Sequence, residues 1–203
     1  MKFFLLLSVL SFSSLSTLVN AKVEILPYRH HSWNNDWNES ISSELDQKNY
    51  EVMMSDSIDE NDLLELGCPG FNSMSDPELK KDFWVVFFSA LTRAESGFNK
   101  KARSKSSYGL LQLSKSTARL QCGLDNVGET ADSDHLRCGV KLLSWQLQGA
   151  PTQKGKLMRP DLKGQLFGKY ILLWGPLRQK DFGGRKLLVN WFKKHLDQLP
   201  FCS

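Results

Sequence analysis

A mostly α-helical single domain is predicted for this chain of 203 residues by three observations. Apolar residues recur at helical spacing through much of 76–199, and alternation of the strand type is nearly absent. The length suits one ordinary domain rather than two. A composition of 41% hydrophobic and 24% charged residues excludes a disordered or collagen-like chain. No apolar run of spanning length occurs after the N-terminus, so no transmembrane segment is expected in the mature protein.

The elements follow in order. Lys2, the apolar run Phe3–Leu10 and the compact residues Val19-Asn20-Ala21 read as a secretory signal peptide over 1–21, cleaved after Ala21. The protein is therefore expected to be exported, to the periplasm or beyond. Residues 22–66 carry 11 acidic and 3 basic side chains, net −8, whereas 67–203 are net +11. Few periodic apolar residues and many Asn, Ser and Asp mark 22–66 as an acidic N-terminal extension, extended or partly disordered, with one short helix near Asp59–Leu66. The basic charges of the remainder are dispersed and accompany no nucleic-acid motif, so no nucleic-acid partner is expected.

The domain itself is assigned to 67–203. Ser75 as N-cap, Pro77 in the first turn and Glu78 as capping-box partner open a buried helix over about 76–95, with Leu79, Phe83, Phe87, Phe88 and Leu91 at helical spacing. Gly97 supplies its stop. A short helix capped by Ser114 spans about 115–121, and another spans about 134–147 with Leu136, Val140, Leu143 and Leu147 on one face. Residues 150–164 read as loop, short helical turns are expected in 165–174, and a last helix in 185–199.

Four cysteines remain after the leader, and export permits disulfides. Cys122 and Cys138 close a short loop between helices. That leaves Cys68–Cys202 to tie the start of the domain to its end. No Cys-x-x-Cys pair occurs and the histidines are scattered, so no metal or other cofactor is expected.

One position carries the chemistry. A long apolar helix delivers a single carboxylate, Glu95, into a polar loop. The negative end of the helix dipole and apolar neighbours such as Phe98 both raise a carboxyl pKa, as a general acid at neutral pH requires. Glu95-Ser96-Gly97-Phe98, then Ala102-x-Ser104, then Gly109-Leu110-Leu111-Gln112, resembles the signature of soluble lytic transglycosylases and goose-type lysozymes. Asp134 to Leu143 is similar to the helix that follows in that family. The likeness covers about 60 residues, Asp82 to Leu143. It departs from the family pattern in four places. The spacing between Ser104 and Gly109 is one residue shorter, Leu111 stands where Met is usual, the Met-Pro that often follows the Gln is absent, and the Tyr-Asn-x-Gly stretch is missing. Tyr170 and Trp174 are the nearest replacements for that wall of the groove.

The resemblance implies a lysozyme-like fold and a monomeric muramidase that cuts the β-1,4 bond between N-acetylmuramic acid and N-acetylglucosamine in peptidoglycan glycan strands. Glu95 would be the general acid and base. Ser96, Ser104, Tyr108, Gln112 and Tyr170 would contact substrate. Asp125, Asp132 and Asp134 are the nearest downstream carboxylates that could assist a hydrolytic water. Two alternatives stay open: a chitinase- or chitosanase-like hydrolase, and a non-catalytic peptidoglycan-binding protein.

Overall fold

In the computed structural model, residues 23–149, 159–171, 173–178 and 183–202 are described. The leader expected at 1–21 and most of the loop expected at 150–164 lie outside them.

The central helix, α4 (Pro77–Glu95), is capped one residue later than the sequence suggests. Asp76, not Ser75, is the N-cap, and its carboxylate accepts from the Glu78 N–H at 2.8 Å. With Pro77 fixed at the first helical position, the capping oxygen has to come from the residue immediately before it. Phe83, Trp84, Phe87, Phe88 and Leu91 are fully buried. Their rings meet edge-on, as aromatic quadrupoles favour: Phe83–Trp84 at 5.0 Å and Trp84–Phe87 at 5.6 Å.

Against α4 pack α6 (Asp132–Leu147), the short α7 (Gly175–Arg178) and α8 (Gly183–Lys193), while α5 (Lys115–Cys122) packs on α6. Ser114 caps α5 through the Thr117 N–H, and Gly123 ends it at φ 71°. The last helix stops at Lys193 and gives way to 3₁₀ turns at Leu196–Gln198 and Pro200–Cys202. In 165–174, where helical turns are expected, the helical pieces instead flank the segment: a 3₁₀ turn at Pro160–Leu162 and α7 itself. Strands β1 (Ser107–Tyr108) and β2 (Leu113–Ser114) form one antiparallel hairpin, with Ser107 opposite Ser114 and Tyr108 opposite Leu113. Disulfides join Cys68 to Cys202 and Cys122 to Cys138. Among the described residues no helix is long and apolar enough to cross a membrane.

The acidic segment corrects the expectation of an extended, partly disordered extension. It folds into α1 (Asn35–Leu45), α2 (Glu51–Met54) and α3 (Glu60–Leu66). Trp33, Trp37, Ile41 and Leu45 fall four residues apart, and all four are buried in the same core as α4. Full burial of a large apolar side chain is worth about 1.5–3 kcal/mol, so this stripe alone offsets much of the ordering cost of α1. The opposite charges of the two halves meet as specific pairs. Asp56 accepts from the buried Lys80 at 2.6 Å, Asp46 pairs with Lys81 at 2.5 Å, and Glu65 takes the Arg185 guanidinium through both its oxygens.

Candidate active site

Glu95 is the last residue of α4, and the chain turns sharply after it. The Ser96 N–H and hydroxyl both donate to the Thr92 carbonyl, at 3.0 and 3.2 Å, which closes the helix end. Gly97 and Phe98 then adopt left-handed backbone, φ 61° and 65°. For Phe98 that conformation costs about 1–2 kcal/mol. Burial of its ring between Trp33, at 5.8 Å, and Trp191, at 5.4 Å, holds it there. The acidic segment therefore braces the turn that presents Glu95.

The Glu95 carboxyl is pushed up to about 7 from the ordinary carboxylate value, by burial alone. Among the described residues it makes no hydrogen bond and no ion pair that would favour the ionised form. Arg93, two residues earlier, is engaged elsewhere: its guanidinium lies over the Tyr28 ring at 3.3 Å.

The loop beyond Phe98 returns to the β1–β2 hairpin through the Ala102 carbonyl, which accepts from the Gly109 N–H at 2.9 Å and from Gln112 Nε2 at 3.1 Å. Gly109 sits at φ 71°, and a Cβ there would lie 2.4 Å from the imidazole of His135, so only glycine fits. Gln112 is itself left-handed, φ 47°, and its amide also donates to the Gly109 carbonyl at 2.9 Å. The Gly-Leu-Leu-Gln motif is thus a locked corner.

Gln112 borders a cavity of about 380 Å³ between the hairpin, α5, α6 and the segment 159–174. Tyr170 and Trp174 line it too, beside Trp145, Gln146, Arg159 and Lys169. Trp174 is fixed by its indole N–H, which donates to the Leu111 carbonyl at 2.8 Å. Tyr170 is 55% exposed, with Arg159 over its ring at 4.8 Å. The structure therefore brings Gln112, Tyr170 and Trp174 to one cavity. Glu95, Ser96, Ser104 and Tyr108 are not among its lining residues. Ser104 is exposed, and its N–H donates to the Ser107 carbonyl at 3.0 Å. Tyr108 is half-buried with Arg103 over its ring at 5.0 Å and Lys115 at 5.4 Å. The sequence reading missed Trp145, Gln146, Arg159 and Lys169. Trp145 could have been found, because it is a large aromatic that lies off the apolar face of α6 marked by Leu136, Val140, Leu143 and Leu147.

The acids Asp125, Asp132 and Asp134 do not join this cavity. They pair with Arg119 at 3.7 Å, Lys100 at 3.7 Å and Arg137 at 3.5 Å respectively. No carboxylate is among the described residues that line it. Among the described residues no group of three or more His, Cys, Asp or Glu is placed to hold a metal ion.

These features define a lysozyme-like domain, and the comparisons agree. Residues 73–158 match the model of the transglycosylase SLT domain, and the match takes in Glu95, Gln112 and α6. Among solved structures the chain is similar to DslA, in its wild-type form 2, at 25% identity and a TM-score of 0.58, covering 83% of this chain and 91% of that one. A Glu-to-Gln mutant of DslA gives 23% identity and a TM-score of 0.59 over the same shares. No curated protein matches the chain.

Proposed function

We propose that this protein is an exported muramidase that cleaves the β-1,4 bond of peptidoglycan glycan strands, with Glu95 as general acid and then base. The observation that carries the reading is the carboxyl of Glu95, raised to about 7 by burial at the end of a buried helix. A group poised there is substantially protonated near neutrality, which a proton donor to a leaving oxygen needs. The SLT domain match supports the substrate class, and the two disulfides are consistent with an oxidising compartment.

In the proposed reaction Glu95 gives its proton to the glycosidic oxygen as the bond to C1 breaks. The resulting carboxylate then takes the proton of the same sugar's 6-hydroxyl, whose oxygen closes on C1 to give an anhydro end. The engagement of Asp125, Asp132 and Asp134 in pairs of their own favours this internal attack over a carboxylate-assisted water. Gln112, Tyr170 and Trp174 would hold the glycan in the cavity that they line. Ser96 supports the turn that bears Glu95.

Mass analysis of purified peptidoglycan digested by the wild type and by Glu95→Gln tests the proposal. Anhydro ends from the wild type and none from the variant are expected. Reducing ends would make the enzyme a hydrolase, and binding without products would make it a glycan-binding protein.

A further inference from the structure

The cavity wall that carries Lys169, Tyr170 and Ile171 has little regular structure of its own, since only the 3₁₀ turn Pro160–Leu162 precedes it. The Gly168 N–H donates to the Leu177 carbonyl of α7 at 3.0 Å, and further bonds hold the segment from two other sides. From α6, the Leu147 carbonyl accepts from the Gly164 N–H at 2.8 Å, and Gln146 Nε2 donates to the Gln165 carbonyl at 3.0 Å. From the acidic segment, the Asp59 N–H donates to the Gly164 carbonyl at 2.9 Å. Gly164 is at φ 78°, and a Cβ there would lie 2.0 Å from the Ser57 carbonyl oxygen, so the two backbones press directly together.

At the centre of this contact is Asp62 of α3. Its side chain is buried, and one oxygen, Oδ2, accepts from both the Leu166 N–H at 2.7 Å and the Phe167 N–H at 3.0 Å. Leu166 and Phe167 are buried as well, so both donors depend on this one acceptor. The Phe167 ring is capped in turn by the Arg185 guanidinium at 3.8 Å, which Glu65, on the same helix as Asp62, holds in place. A buried carboxylate is a costly way to make a core contact. It is suited to terminating two adjacent backbone donors that no regular ladder supplies.

We propose that Asp62 is a positioning residue for the glycan cavity, fixing from the N-terminal segment the wall that bears Lys169 and Tyr170. The proposal rests on the reading of that cavity as the glycan site. Without the Asp62 acceptor, the Leu166 and Phe167 N–H groups must turn toward water, and Tyr170 follows a few residues on. The chemistry at Glu95, on another element, is not touched.

The test is the steady-state kinetics of wild type, Asp62→Ala and Asp62→Asn on soluble uncrosslinked glycan strands, with melting temperatures measured alongside. Asp62→Ala is expected to raise KM about tenfold with kcat within about twofold, as for lost substrate positioning without lost chemistry. Asp62→Asn keeps an oxygen where Oδ2 sits and is expected to restore most of the affinity. If Asp62→Ala does not fold, Asp62→Ser takes its place with the same expectation. An unchanged KM, a fall in kcat that merely tracks the folded fraction, or Asn performing no better than Ala would each overturn the proposal. An inactive wild type or a fully active Glu95→Gln would instead overturn the functional reading beneath it.

Discussion

Two carboxylates belong to parts of the domain that the acidic segment supports, Asp62 buried and Glu95 half-buried, and burial raises both: Asp62 to about 6 and Glu95 to about 7. Their surroundings then part ways. Asp62 accepts two backbone N–H groups through Oδ2, which pull its pKa back down against burial and tie it to the wall segment. Glu95 has no such partner among the described residues, so nothing competes for its proton. Desolvation alone therefore does not mark a proton donor. A buried carboxyl that accepts from two backbone N–H groups is a structural anchor, and one left unbonded at a helix end can pass a proton.

The sharpest way to break this contrast is to remove the region that holds both supports. Deleting residues 23–66 takes away Trp33, Trp37, Ile41 and Leu45 from the core, together with Asp62. The truncated chain is expected to lose cooperative unfolding altogether, which thermal melting followed by circular dichroism reads. A truncated chain that melts like the full one would return the segment to the role of an appendage.

Next in size, Glu95→Gln should lower cleavage by at least about 100-fold while leaving the melting temperature near or above that of the wild type. Asp62→Ala should behave in the opposite way. Each buried N–H it orphans costs about 1–3 kcal/mol, so a visible drop in denaturant midpoint is expected with chemistry largely intact.

The two carboxyls also set the sign of a pH effect on stability. A carboxyl whose folded pKa lies above its unfolded one stabilises the fold fully below the unfolded pKa and loses that contribution as pH rises through the folded value. For Glu95 and Asp62 the window runs from about pH 4 to 7. Glu95→Gln should thus be more stable than the wild type at pH 8, and the gap should close near pH 4. Denaturant melts at the two pH values measure it. The smallest effects belong to Asp125→Asn, Asp132→Asn and Asp134→Asn, which remove surface pairs worth no more than about 1 kcal/mol. Product yield from each should stay within about twofold of the wild type, and a large loss in any one would bring a second carboxylate into the mechanism.

Much of this was legible in the sequence, for a physical reason. The helix over 77–95 announces itself because Pro77 and the spacing of its aromatics agree, and α5 and α6 because their caps and apolar faces do. Glu95 stands out because a motif and a helix end coincide there. The acidic segment was misread because its composition was averaged over its whole length. The polar residues of α1 diluted a stripe at 33, 37, 41 and 45 that is strictly helical in spacing. Asp62 could not be read at all, since its partners, Leu166 and Phe167, lie about a hundred residues away and offer only backbone, which leaves no mark on side-chain pattern. The cavity wall at Arg159, Lys169 and Tyr170 was half legible, through Tyr170 alone.

The central claim is that burial keeps Glu95 protonated near neutrality so that it can serve as the acid. Titration of protein labelled with ¹³C at the glutamate carboxyl tests it most directly, with the Glu95 resonance assigned by its loss in Glu95→Gln. The account expects a midpoint near 7 and a fall in kcat/KM on peptidoglycan strands as pH rises through the same value. A midpoint at the ordinary glutamate value of about 4.3, with activity undiminished above pH 8, would contradict it.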